Sequence, residues 1–358
     1  MKKTIAVLLA LMLALSMLSA CGESSAPAAP AAPAAPAAPA AEAPAAPAAP
    51  AEAAPVEPVL TLKFGNAGND QSVYQKASLK FEELLEEATN GAIQVEVYCN
   101  AQLGAERDMV ESMQLGTVDM GIVATAVLGS FVPEYALLDA PFMFANEEHA
   151  YKVTEGEIGT MLSQKMLENQ NVRILTYYQN GFRHIFSTDP IREIDDFHGL
   201  KLRTMENAVH QAAFSKLGAI PTSMAFSELF TALQQGTVDA AENSLETIYS
   251  QKFYEAAPYV TLSGHSFGFA GVCMSEITWN KIPEEYHDAV LKAARDSMEY
   301  ERELLAEATD AAVKQLTDAG TEIIEIDTNA IYDICSVVYA DFADVLNDEY
   351  VQIIASLK

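Results

Sequence analysis

The sequence predicts an α/β fold of two similarly built lobes with a cleft between them, joined by crossing strands and a long helix running along both. Three observations predict it. The chain opens strand–helix–strand, a six-residue motif recurs 120 residues later, and about 37 residues near the C-terminus lack Pro and Gly. A length of 358 residues suits about two domains of ordinary size.

Residues 1–58 read as address and tether. Lys2 and Lys3 lead into an apolar run from Ile5 to Leu18, too short for a bilayer span and right for a signal-peptide core. Leu18-Ser19-Ala20-Cys21 resembles a bacterial lipobox, which implies removal of residues 1–20 and a diacylglycerol on Cys21. Residues 21–58 then carry Ala-Ala-Pro repeats with ten of the 16 prolines, an extended polyproline spacer. The expected location is extracytoplasmic, lipid-anchored at the outer face of the cytoplasmic membrane.

The folded part begins at Val59. Val59 to Phe64 alternates as a strand and turns at Gly65-Asn66-Ala67-Gly68. Val73 to Thr89 is an amphipathic helix with Leu79, Phe81, Leu84, Leu85 and Ala88 inward, stopped by Asn90-Gly91. Glu82, Glu83, Glu86 and Glu87 form its solvated face. Ile93 to Tyr98 is a second strand, which implies a right-handed parallel crossover.

Gln114-Leu115-Gly116-Thr117-Val118-Asp119 recurs as Gln234-Gln235-Gly236-Thr237-Val238-Asp239. Each copy follows a helical pattern (Glu106 to Leu115, Ser227 to Gln234) and precedes a short apolar strand, with the glycine as helix C-cap. Strands are also expected at Arg173 to Tyr178, Gly199 to Arg203, Tyr259 to Leu262 and Phe269 to Val272. Pro283 opens a helix that continues to Gly320. At about 55 Å it exceeds one lobe. A strand at Thr321 to Ile326 and a helix from Ile331 to Leu357 close the chain.

Composition excludes several function classes. Fifty Asp and Glu against 21 Lys and Arg give a net charge of −29, which repels nucleic acid and anionic lipid. No HExxH, CxxC, GxxxxGK[ST] or GxGxxG pattern is present, so no metal, nucleotide or other cofactor is expected. Cys99, Cys273 and Cys335 are expected as free buried thiols. Gly264-His265-Ser266-Phe267-Gly268 matches GxSxG, but a strand-like segment follows it where a nucleophile elbow needs a helix. No catalytic residue is assigned, and the chain is not read as an enzyme. Arginine is the informative residue: Gly181-Phe182-Arg183 follows one strand, and Arg203 ends another. A guanidinium there points into the crevice where ligands of α/β folds gather, and it matches a carboxylate with two parallel hydrogen bonds. A surface salt bridge is the alternative reading of Arg203.

Gln102-Leu103-Gly104, the Gly116-Thr117-Val118-Asp119 turn, Asp139-Ala140-Pro141-Phe142-Met143-Phe144, Gly199-Leu200-Lys201-Leu202-Arg203 and Pro221-Thr222-Ser223-Met224-Ala225-Phe226-Ser227-Glu228 stand in order along the chain. Together they resemble the substrate-binding proteins of TRAP (tripartite ATP-independent periplasmic) transporters, DctP type. The resemblance implies a two-lobed periplasmic-binding-protein-like fold that closes over a small organic acid and delivers it to large and small membrane subunits. It further implies that Arg203 pairs with the ligand carboxylate, with Arg183 a second cleft arginine, Asn243 an amide beside it and Phe226 an aromatic on the ligand. Asn66 and Glu106 match first-lobe positions that read its far end. Asn207 either reaches the ligand or caps the next helix. The bland readings are core for Phe226, a cap or turn for Asn66, and a first-turn acid for Glu106. Ala124 stands where sialic-acid receptors carry a glutamate, and Ala240-Ala241 replaces Gly-Gln before Glu242-Asn243.

The implied lobes are 59–180 with about 268–308, and 181–267 with about 309–358. Sugar acids (uronates, aldonates) and C4-dicarboxylates both fit an arginine-anchored cleft. A monomer is expected. The alternatives are a receptor for an ABC importer or chemosensory system and, remotely, a surface hydrolase using Ser266.

Overall fold

Nine strands make one sheet. They are β1 (Leu60–Gly65), β2 (Ile93–Tyr98), β3 (Met120–Ala124), β4 (Val172–Ser187), β5 (Lys201–Thr204), β6 (Ile220–Ser223), β7 (Ala240–Ser244), β8 (Tyr259–Ser275) and β9 (Glu322–Glu325). Their order is β2-β1-β3-β8-β4-β7-β5-β6, with β9 pairing on β8. The computed structural model describes residues 57–358. The signal peptide, Cys21 and nearly all of the tether lie outside the described residues. Among the described residues, no helix is long and apolar enough to cross a membrane.

The two ends of the sheet repeat one plan. β1 lies parallel between β2 and β3, and β5 lies parallel between β6 and β7. The recurring motif explains the likeness atom by atom. Gly116 and Gly236 take φ of 69° and 66°, a left-handed conformation that favours glycine. Thr117 and Thr237 donate their N–H to the carbonyls of Ser112 and Ala232, closing the helix end in the same way. The aspartates then tie three strands together. Asp119 Oδ2 accepts from Lys63 N of β1 at 2.9 Å, and Asp239 Oδ2 accepts from Lys201 N of β5 at 3.2 Å. The carbonyls of Asp119 and Asp239 accept from Ser275 and Thr188, where β8 and β4 end, both at 2.8 Å.

β4 and β8 cross between the ends as an antiparallel pair, from Val172 opposite Ser275 to Ser187 opposite Tyr259. Register shifts at 174/176, 179/181 and 183/185 bend them where they pass the middle of the molecule. Each was expected as shorter strand pieces broken at glycines. Those glycines sit at bulges inside continuous strands, so Gly181-Phe182-Arg183 lies within β4, not after it. Ser266 likewise lies in mid-strand and buried, with no turn and helix to make an elbow.

The long helix is His287–Asp318, entered through a 3-10 turn at Glu284–Tyr286. Val290, Ala293, Ala294 and Met298 pack in a core with Leu62, Phe64 and Phe81 of the first end. Ala312 and Leu316 pack with Phe186, Leu229 and Val260 of the second. One helix therefore serves both lobes. On the opening helix, Val73–Ala88, the buried stripe is Val73, Ala77, Phe81 and Leu85, spaced by four. Leu79 lies about 200° round from Ala77 and is exposed, as is Ala88, so those two inward assignments were wrong. The expected C-terminal helix is three shorter ones, Thr328–Cys335, Val338–Asp341 and Asp348–Ser356. They pack on both lobes: Ile354 O meets His149 Nε2 at 2.7 Å, and Lys216 pairs with Asp341 at 2.8 Å.

Candidate functional site

A cavity lies where the two lobes face each other across β4 and β8. Arg183, Arg203, Phe226 and Asn243 line it from the second lobe and Glu106 from the first. Five of the expected positions thus meet in one place.

Arg203 sits two residues past Lys201 on β5, so the tie between Lys201 and Asp239 fixes the strand that carries it. Its side chain is 2% exposed. Nε and Nη2 donate to the carbonyl of Met224 at 3.0 and 2.8 Å, while Nη1 has no partner in the protein. Among the described residues no carboxylate pairs with it. Burial, with the charge of Arg183 adding to it, pulls its pKa down to about 10. A surface salt bridge is therefore not its role.

Arg183 is as deeply buried but fully committed. Nε and Nη2 form a fork on the Glu242 carboxylate, Nη2 also donates to the Glu242 carbonyl at 2.8 Å, and Nη1 donates to Asn180 at 2.7 Å and Asn243 at 3.1 Å. Burial alone would raise the Glu242 carboxyl, but Arg183, with His265 beside it, outweighs burial and holds it well below the usual range. Asn243 Oδ1 is taken by Arg183 and by Ser244 N. Its amide nitrogen is left for the cavity. Phe226 lines the cavity with its ring edge-on to Phe253 at 5.6 Å.

Glu106 is the first residue of the helix Glu106–Gln114, and its Oε1 accepts from Ala124 N at 3.2 Å. Burial raises its pKa more than that hydrogen bond and the nearby arginines lower it. Two expected positions stand apart from the lining. Asn66 is fully buried one residue behind Ala67 and Gly68, donating to Gln75 Oε1 at 2.8 Å. Asn207 caps the helix Ala208–Lys216 through His210 N at 2.9 Å and borders a separate surface depression.

Sequence reasoning missed Tyr74, Asp139, Asn180 and Glu246, all in the lining. Asp139 was quoted only as part of a motif. Its Oδ1 accepts from Thr125 at 3.0 Å, its Oδ2 has no partner, and burial lifts its pKa to about 8. Glu246 accepts from Val73 N of the first lobe at 3.4 Å, and burial raises it too. The lobes also meet through Asn69 to Ser250 O at 2.7 Å and Arg107 to Glu206 at 3.0 Å, so the cleft is closed. Cys273 and Cys335 are free and buried as expected, whereas free Cys99 is half-exposed. No cluster of metal-ligating side chains occurs among the described residues.

An α/β protein with two like lobes about a closable, arginine-floored cleft belongs to the class of two-lobed solute-binding proteins. The family model for bacterial extracellular solute-binding protein, family 7 (DctP) matches residues 64–344, and the chain belongs to that family, the substrate-binding proteins of TRAP transporters. A solute-binding protein of Roseobacter denitrificans is 39% identical over 268 residues, 75% of this chain and 82% of the relative. The C4-dicarboxylate-binding periplasmic protein DctP of Rhodobacter capsulatus is 36% identical over 263 residues, 73% and 79%. Among solved structures, a TRAP periplasmic solute-binding protein of Polaromonas sp. JS666 bound to D-erythronate has TM-score 0.80 and 36% identity, covering 82% of this chain and 98% of that one. One from Sulfurospirillum deleyianum with succinate has TM-score 0.81 and 30% identity, covering 84% and 100%.

Proposed function

We propose that this chain is the extracytoplasmic receptor of a TRAP transporter, binding a small organic carboxylate and handing it to the large and small membrane subunits. The observation that carries this reading is Arg203, a buried guanidinium that among the described residues has no paired carboxylate and an unpartnered Nη1, in the wall of a closed cleft. A buried charge left unpaired is costly, and an incoming carboxylate completes it with charge-assisted hydrogen bonds. The ligands of the relatives, erythronate and succinate among them, are carboxylates, which agrees. Arg183, held by Glu242, presents Asn243. Phe226 covers the ligand, and Glu106 meets its far end from the other lobe. Asn66 backs the wall and Asn207 holds a helix start, so neither is proposed to touch ligand.

The proposed lobes are 59–180 with about 268–308, and 181–267 with about 309–358, hinged where β4 and β8 bulge. Binding energy gained only in the closed form drives closure. In this reading residues 1–20 direct export, a lipid on Cys21 anchors the chain, and the Pro-rich spacer sets its distance from the membrane. The receptor works as a monomer.

Calorimetric titration with a panel of carboxylates and matched neutral polyols tests the proposal. Carboxylates alone are expected to bind, and Arg203→Ala to weaken them by about 2–5 kcal/mol. Binding by Arg203→Ala within about threefold of the parent, roughly 0.7 kcal/mol, overturns the anchor.

A further inference from the structure

The charges around the cleft decide between the two ligand classes that an arginine anchor alone admits. Among the described residues, its lining holds two cationic side chains, Arg183 and Arg203. Arg183 has spent every N–H it owns: one on Nε and two on each Nη, divided among Glu242, Asn180 and Asn243. That leaves Arg203, among the described residues, as the cation of the lining with an N–H still open to a carboxylate. Three carboxyl groups line the same cavity, namely Glu106, Asp139 and Glu246. The other polar groups there are neutral, among them the Tyr74 hydroxyl, the Asn180 and Asn243 amides and the Thr247 hydroxyl.

A second carboxylate on the ligand would find no free cation among the described residues and would be desolvated at the first-lobe end, where Glu106 faces the cavity. A hydroxyl meets the opposite situation. It donates to a carboxylate oxygen and accepts from an amide or phenol, so each of these wall groups becomes a partner. Glu106 is placed to read that end. It enters from the first lobe, opposite the lobe that carries Arg203, with one oxygen on Ala124 N and the other uncommitted.

We propose that the ligand is a polyhydroxylated acid with one carboxylate, an aldonate or uronate, and that Glu106 excludes dicarboxylates of the same length. This rests on the receptor reading above and narrows it. The recognition is a difference of affinities, with the Glu106 carboxylate facing the wrong ligand and hydrogen-bond partners facing the right one.

Matched pairs that differ only in oxidation of the terminal carbon test it: erythronate against meso-tartrate, and galactonate against galactarate, titrated calorimetrically into the full chain. Within at least one pair, the monocarboxylate is expected to bind at least 100-fold more tightly. Glu106→Gln keeps the size of the side chain and removes the charge, and it is expected to narrow that gap at least tenfold by strengthening the dicarboxylate. Dicarboxylates binding as tightly as their partners would overturn the inference while leaving the carboxylate receptor standing. A gap unchanged in Glu106→Gln would remove Glu106 from the role. Failure of every carboxylate, mono- or dibasic, would overturn the receptor reading itself.

Discussion

Two residues beyond Lys63 in the first lobe stands Gly65, and two residues beyond Lys201 in the second stands Arg203. The frames around them match, for both lysines are tied by N–H to the aspartate of the repeated turn. Their contents differ. A Cβ on Gly65 would lie 2.6 Å from Met109 Sδ, so the helix of the first lobe occupies the space where the second keeps a guanidinium. The same holds for the next strand. β3 ends Ile122-Val123-Ala124, and its counterpart β7 ends Glu242-Asn243-Ser244. At the preceding helix starts, ten residues before each turn glycine, Glu106 in one lobe corresponds to Phe226 in the other. In the proposed reading the second lobe holds the negative charge and the first closes over what trails from it. The frame is held by backbone ties that leave the strand tips free to diverge.

That division can be broken first at Glu242. Glu242→Ala leaves Arg183 buried without its counter-charge and is expected to cost about 3–5 kcal/mol in urea unfolding. The trim Ile122→Val at the matching first-lobe position should cost about 0.5–1.5 kcal/mol. Equal costs would mean that the second lobe's charges are no more than packing.

The first lobe also faces the cleft with Asp139, lifted by burial to about 8 and flanked by Arg183 and Glu242. Between pH 4 and 8 the folded chain keeps a proton there that the unfolded chain releases, so this contribution to stability is lost as pH rises. Asp139→Asn should flatten the decline between pH 5 and 8, by on the order of a few kcal/mol. Melting curves at pH 5, 7 and 8 check this, and an unchanged slope would put the proton elsewhere.

The smallest effects test the shared frame. Asp119→Ala and Asp239→Ala should each cost about 1 kcal/mol. Asp119 should cost slightly more, because its Oδ1 also accepts from Thr278 at 2.6 Å. A several-fold difference would show that the two turns are not equivalent supports.

The turns were legible in sequence because their chemistry is local: a glycine with positive φ and an aspartate one strand away. Arg203 and Arg183 stood out because the chain has so few arginines and Arg203 ends a strand, although Arg183 lies inside β4. Glu242 and its fork on Arg183 did not stand out, since a pairing across 59 residues leaves no periodic trace. Asp139 meets Phe269 O only through Thr125, 144 residues from it, and Glu246 meets the first lobe at Val73. The crossing strands were read too short because glycine marks turns in most contexts, while in long bent strands it marks bulges. Asn207 was balanced between capping and binding; the structure makes it a cap.

The long helix has a consequence for the order in which the molecule can be made. β3 waits for β8, about 150 residues downstream, and the core it shares with β1 waits for Val290 to Met298. The second core waits longer still, for Ala312 and Leu316. A chain delivered N-terminus first therefore has no half that can finish alone. Contacts of such sequence separation favour slow folding. Neither core is complete until the long helix has been delivered.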